Sequence, residues 1–312
     1  MKIVFFGTPE YVLPVLISIH KKFAAGPGKS PIVAVVTQSP KPTGRKQILT
    51  YSAIDKWAHE HKIATYYNPE DLLKEKVKFD LGVIADYGKI ISKEVIGLFA
   101  NGILNIHFSQ LPKYRGASPV QAAILSGDKE MGVTIFKIDE LLDHGPIISQ
   151  FKEDMGTTDT WGSLKVRLFE RTKDVLIELI PPYLEGKIKT RKQDEKDASY
   201  TILVKKEHGF IPPKFLKYAL EGKTFEEDWD IGFRKDFSIK PTPHACERFI
   251  RALYPWPSAW TTIKIDSNKK RLKILKGHLT EGNLILDLVQ LEGKNPVSWK
   301  EFRMGYPNTA FE

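Results

Sequence analysis

Four stretches of this chain are short, unbroken apolar runs with no alternation: KIVFF (2–6), IVAVVT (32–37), LGVIAD (81–86) and GILNIHF (102–108). A strand without a polar side must be covered on both faces, which is the situation of a parallel sheet between layers of helix. The intervals agree. EYVLPVLISIHKK (10–22) and segments near 52–62, 70–76, 91–99 and 118–126 carry helical apolar spacing, so strand and helix alternate as in βαβ units. Further strands are expected at 133–139 and 146–152. A long amphipathic helix is expected over 160–184, ended by its Pro181-Pro182 pair. The fold class is therefore α/β, with a doubly wound, mostly parallel, Rossmann-like sheet over 1–184.

The texture then changes twice. Residues 185–206, EGKIKTRKQDEKDASYTILVKK, are polar and highly charged without a sustained period, and read as a linker. From about 260, the runs AWTTIKID, RLKILKG and NLILDLVQLEG alternate and are spaced by Asn, Gly and Lys, which predicts a small β-barrel in a second domain over 207–312. The stretch 211–243 has no clear period.

With 312 residues, of which 42% are hydrophobic, the chain is long enough for two such domains. A single cysteine, Cys246, excludes an intramolecular disulfide and a Cys-based zinc cage, and no metal site is expected. No run approaches the roughly 20 apolar residues of a membrane span, and no leader is visible ahead of the first strand. A cytoplasmic monomer is expected. The net charge of +9 favours an anionic partner.

The chemistry concentrates where the run 102–108 ends. Asn105 and His107 are two apart and share a face while the strand stays extended. Alone, they also suit a turn-forming amide and a core imidazole. SQLPKYRG follows at once, a Pro turn with Arg115 placed to position an anionic or heteroaromatic ligand, and the next loop, DELLDHG (139–145), brings Asp143. Asn, His and Asp with no Ser or Cys nucleophile beside them are not a covalent-hydrolase triad and suit direct attack by a substrate on a carbonyl. GTPE after the first strand is not a dinucleotide fingerprint. His144 is expected to turn outward from the site, and Trp256, between two prolines, to pack in the core or at a domain interface.

NIHFSQLPKYRG followed by GVTIFKIDELLDHGPII resembles the 10-formyltetrahydrofolate-dependent formyltransferases, whose pattern is N-x-H-x-S-x-L-P-x-x-x-G with a later L-D-x-G. MKIVFFGTPEYVLPVL, TQSPKPTGR, RALYPWPSAWT and VQLEGKNPVSWKEFRMGY are similar to the first strand and turn, a basic insertion, the start of the second domain and the closing strands of the branch that acts on methionyl initiator tRNA. The resemblance implies Asn105, His107 and Asp143 as catalytic residues. It implies folate contacts from Ser109, Gln110, Leu111 and Pro112, from Ala85, Asp86, Tyr87 and Gly88, and from Asp139 and Leu142. The chain departs from the family pattern at Asp86, Gln110 and Leu141.

The same resemblance makes Lys41, Arg45 and Lys46 the loop that grips the acceptor end of the tRNA. By their charge, Arg115, Lys189 and Arg191, and Lys270, Arg271 and Lys273 in a cationic C-terminal run, are expected to contact RNA phosphates. Expected co-substrates are 10-formyltetrahydrofolate and methionyl initiator tRNA. Two other readings fit parts of the sequence: a formyltransferase acting on a sugar-nucleotide amine, and a non-catalytic RNA-binding relative.

Overall fold

The computed structural model describes residues 1–26, 28–43, 47–266 and 268–311, with the side chain of Thr43 outside that description. Arg45 and Lys46, expected on the tRNA-gripping loop, lie outside the described residues. The chain forms two compact units, residues 1–115, 132–153 and 165–198 in one and 116–131, 154–164 and 199–312 in the other. These ranges differ from the expected division into 1–184, a linker at 185–206 and 207–312.

The central sheet has seven strands: β1 (Ile3–Gly7), β2 (Ile32–Val36), β3 (Ala64–Tyr66), β4 (Leu81–Ala85), β5 (Ile103–His107), β6 (Glu130–Lys137) and β7 (Ile147–Asp154). Their order is β7-β6-β5-β4-β1-β2-β3. The pairs β1–β2, β2–β3, β1–β4 and β4–β5 are parallel, and β6 runs antiparallel to β5. All five residues of β1 and of β4 are buried, as their unbroken apolar sequences require. One core layer joins Val4 and Phe6 of β1, Val36 of β2 and Ile84 of β4 to Phe79, Val95, Phe99 and Ile103.

The helices are α1 (Leu13–Lys22), α2 (Ala53–Glu60), α3 (Lys93–Ile96), α4 (Pro119–Ser126) and α5 (Trp161–Leu184). The expected helix at 70–76 is a 3-10 turn at Pro69–Glu75, and that at 91–99 shrinks to α3. Helix α5 runs through Pro181 and Pro182 to Leu184; the two prolines donate nothing, but their carbonyls still accept from the Glu185 and Lys187 amides around the left-handed Gly186 at φ +69°. No helix is long and apolar enough to cross a membrane among the described residues.

The segment expected as a linker is built into the first unit for much of its length. Arg191 exchanges both backbone hydrogen bonds with Ile147 at 2.8 Å, and Glu195–Asp197 forms a 3-10 turn capped by the Asp194 side chain. Charge hid this, because its fixed contacts come through polar side chains and not through a buried apolar stripe.

In the second unit, β8 (Ala259–Ile265), β9 (Asn268–Thr280), β10 (Asn283–Leu291), β11 (Val297–Ser298) and β12 (Ala310–Phe311) form an antiparallel sheet in the order β11-β10-β9-β8-β12. The aperiodic 211–243 holds α6 (Pro213–Leu220) and a short ladder pairing Trp229 and Asp230 with Ile239 and Ser238. Helix α7 (Pro243–Ala252) follows, capped by the Thr242 side chain, and packs on α4 and β9. The expected closing strands instead include a helix, α8 (Trp299–Gly305), which begins at a capping box made by Ser298 and Glu301. Trp256 is half exposed and not a core residue.

Candidate active site

The parallel strands deliver the chemistry at their carboxyl ends, where an open α/β sheet leaves its crevice. Register places Asn105 between Ile84 of β4 and Phe136 of β6, and His107 opposite Thr134 of β6. The two side chains therefore leave the same face at the end of β5, as their spacing required. His107 is buried, and its Nε2 lies 3.0 Å from the carbonyl of Tyr114. A carbonyl only accepts, so Nε2 carries the hydrogen and donates it. The other ring nitrogen, Nδ1, faces Asp143 Oδ2 at 3.6 Å, with the two side chains only 7% and 11% exposed. The Asn105 amide makes no hydrogen bond to any described residue. The three residues singled out from sequence thus include a coupled imidazole and carboxylate, with a free amide donor on the same strand as the imidazole.

Asp143 sits at φ +47°, a left-handed conformation uncommon outside glycine. Its loop is pressed against β6, since a Cβ on Gly145 would come within 1.8 Å of the Lys137 carbonyl. Only glycine allows that approach. His144 does not simply turn outward: its Nδ1 is 2.7 Å from Asp139 Oδ2 and its Nε2 is 3.5 Å from Glu195 Oε1. Asp139 also accepts from the Leu141 amide, so its carboxylate is engaged within the loop. Leu142 is more than half exposed at the loop's outer edge.

The turn after β5 is held from below. Thr134 donates its hydroxyl to the Ser109 carbonyl at 2.6 Å and accepts from the Leu111 amide. Gln150 donates to the Leu111 carbonyl and to Thr134, and Arg191 donates to Gln150 at 2.6 Å. Arg191, expected as a phosphate contact, is thus tied at one end to this network. Close approach is again a glycine's doing. A Cβ on Gly132 would lie 2.2 Å from the Gln110 amide nitrogen.

The Ser109 hydroxyl and Gln110 Oε1 are buried without a partner among the described residues, and so is the Tyr87 hydroxyl at the end of β4. Unpaired buried polar atoms are costly, so these three, just beyond two strand ends, have hydrogen-bonding capacity that a ligand could use. Burial pushes the Tyr87 hydroxyl up to about 12, which keeps it a neutral donor. These are sequence-expected folate contacts, and the donor and acceptor set suits a pterin ring. Asp86 is different. At φ +49°, its carboxylate takes a hydrogen bond from Tyr11 and an ion pair from Lys165 at 2.6 Å, so it stitches β4 to α5. Burial first, then the Asp86 charge, raises the Tyr11 hydroxyl far above its ordinary range.

Arg115, expected as a ligand and phosphate contact, is engaged inside the protein. It is 2% exposed, bidentate to Glu195 and bonded twice to Gln193, and so is not offered to an external phosphate. Its charge, in a basic Gly-terminated loop, looked like a ligand contact because its acidic partner lies 80 residues away in the chain. Lys41, Lys189, Lys270 and Arg271 are exposed and Lys273 is half-buried. Arg271 stacks over Trp260 at 4.2 Å, and Lys270 lies 3.7 Å from Glu292. Lys41 lies on a short hairpin, 41–43 paired with 48–50, whose Ile48 and Leu49 are exposed. Among the described residues no group of three or more His, Cys, Asp or Glu could hold a metal ion.

Known proteins share this chain's sequence pattern and its fold. The family model described as formyl transferase matches residues 1–180, and that of the formyl transferase C-terminal domain matches 240–283. The chain is 35% identical to the methionyl-tRNA formyltransferase of Methylacidiphilum infernorum, over 98% of this chain and 95% of that protein. It is 38% identical to that of Thermotoga neapolitana over 68% and 67% of the two chains. Among solved structures, the methionyl-tRNA formyltransferase from Clostridium thermocellum superposes with a TM-score of 0.56 at 20% identity, covering 93% and 98%. An N-formyltransferase from Helicobacter canadensis, solved with folinic acid and dTDP-3-aminofucose, gives a TM-score of 0.62 at 20% identity, covering 90% and 88%. At those identities the structural likenesses speak to the fold.

Proposed function

The chain belongs to the formyl transferase family, and from that premise we propose that it transfers the formyl group of 10-formyltetrahydrofolate to the free amino group of methionyl initiator tRNA. The products are N-formylmethionyl-tRNA and tetrahydrofolate. The observation that supports the chemistry is the approach of His107 Nδ1 to Asp143 Oδ2 at 3.6 Å, at the end of the strand that also carries Asn105. The tRNA acceptor is supported by the near-full-length identity to proteins named methionyl-tRNA formyltransferase.

Attack of the neutral amine on the formyl carbon forms a C–N bond and places negative charge on the formyl oxygen. The free Asn105 amide donates to that oxygen, and removal of such a donor elsewhere costs about 3–4 kcal/mol. The attacking nitrogen must lose a proton. His107, with Nε2–H committed to the Tyr114 carbonyl, keeps Nδ1 as its basic nitrogen, so Nδ1 accepts the proton and the Asp143 carboxylate 3.6 Å away stabilises the imidazolium that forms. The same proton is available to N10 when the C–N10 bond breaks, and the charge balances. Ser109, Gln110 and the Tyr87 hydroxyl would hold the pterin, with Ala85, Gly88, Leu111, Pro112 and Leu142 as its walls. Lys41, Lys189, Lys270, Arg271 and Lys273 supply separate cationic surfaces for RNA phosphates, with Arg45 and Lys46 beyond Lys41 in sequence.

Incubation with 10-formyltetrahydrofolate and methionyl initiator tRNA should give the formylmethionyl ester. Formylation of a dTDP-amino sugar or of free methionine at a comparable rate would reassign the acceptor.

A further inference from the structure

We infer that Gln193 is a positioning residue that sets the separation of Asp143 and His107, with Arg115 fixing Gln193 in turn; the inference rests on the formyl-transfer reading of that pair. The Gln193 Nε2 donates to the Asp143 carbonyl and to the Gly145 carbonyl, each at 2.9 Å. Both amide hydrogens are thereby spent on the backbone flanking His144. The Oε1 of the same amide accepts from Arg115 Nε at 3.1 Å and Nη2 at 2.8 Å. Flipping the amide would set an oxygen against two carbonyls and an NH2 against a guanidinium, so the orientation is fixed by its surroundings.

Arg115 is itself held. Its Nη1 and Nη2 reach the two Glu195 oxygens at 2.9 and 2.7 Å, the bidentate fork that gives a guanidinium one orientation. The residue directly before it, Tyr114, is the one whose carbonyl anchors His107 Nε2. Both members of the acid–base pair are therefore referenced to one buried arginine: His107 through the adjacent backbone and Asp143 through Gln193. Asp143 holds a left-handed φ of +47°, and the 3.6 Å separation already lies beyond a direct hydrogen bond. Any further drift would take Asp143 out of the relay. Catalytic groups misplaced by about 1 Å lose on the order of 100-fold in rate.

Two substitutions separate positioning from bulk stability. Gln193→Met removes all the polar contacts at similar volume. Gln193→Glu keeps an acceptor for Arg115 but turns a carboxylate oxygen toward the Asp143 and Gly145 carbonyls, so only the loop side fails. Full-length variants with unchanged melting curves should lose about 100-fold in kcat, with KM for both substrates within about twofold of wild type. The His107 ring nitrogens, followed by 15N NMR without substrate, should shift in both variants, which reads the pair independently of the acceptor. Unchanged kcat with unchanged ring shifts in either folded variant would overturn the inference. So would collapse of both variants, since the residue would then serve stability in general. Absence of formylmethionyl-tRNA with the wild-type protein would instead count against the reading of the acceptor, leaving the NMR comparison to decide on Gln193.

Discussion

The Nε2–H of His107 is spoken for by a backbone carbonyl, and this one bond leaves Nδ1 as the nitrogen that faces Asp143. His107→Ala and Asp143→Asn should each lower kcat by orders of magnitude while circular dichroism and melting stay near wild type; turnover close to normal in either would remove the proton-accepting pair. Glu195 gives a second prediction at this scale. The Arg115 hydrogen bond holds its carboxyl below the usual carboxylate range. A folded value below the unfolded one means the carboxylate adds stability above about pH 4.3, and that this is lost as pH falls through the lower folded value. Glu195→Gln should flatten that acid limb of Tm against pH, modestly because the group is more than half exposed to solvent. Asn105 and His107 were legible because a period of two fixes them on one strand face. Gln193 and Lys165 were not: Gln193 and Asp143, 50 positions apart, meet like the Lys165–Asp86 pair only when the sheet folds.

At the scale of elements, the strand sequence foretold the sheet because burial on both faces leaves no polar position to misread. The segments it missed, α6, α7 and α8, are short and amphipathic, and are started by caps and prolines more than by apolar period. Ser298→Ala should therefore cost about 1 kcal/mol, measured by denaturant unfolding, because it removes one half of a capping box. Gly132→Ala asks for more. Its methyl would meet backbone atoms of Ser109 and Gln110, so the turn must move off β6. Weaker binding of the formyl donor with β5 intact is expected, and unchanged affinity in a folate titration would show that the turn does not carry the pterin.

At the scale of the molecule, the +9 balance predicts a salt-dependent partner. Replacing Lys270, Arg271 and Lys273 together by alanine should reduce the slope of log affinity for tRNA against log salt by roughly 0.7–0.9 for every phosphate that is no longer neutralised, without changing folate affinity. An unaltered slope would take that face out of the RNA surface. The two compact units carry a different consequence. Each is assembled from three separate stretches, and α4, from the middle of the gene, supplies packing for α7 near its end. No single scissor cut yields either half whole: a recombinant piece starting at residue 207 would leave α7 without its partner helix. Shuffling between relatives by one crossover would pair helices selected in different backgrounds, so inheritance of this architecture favours the intact reading frame.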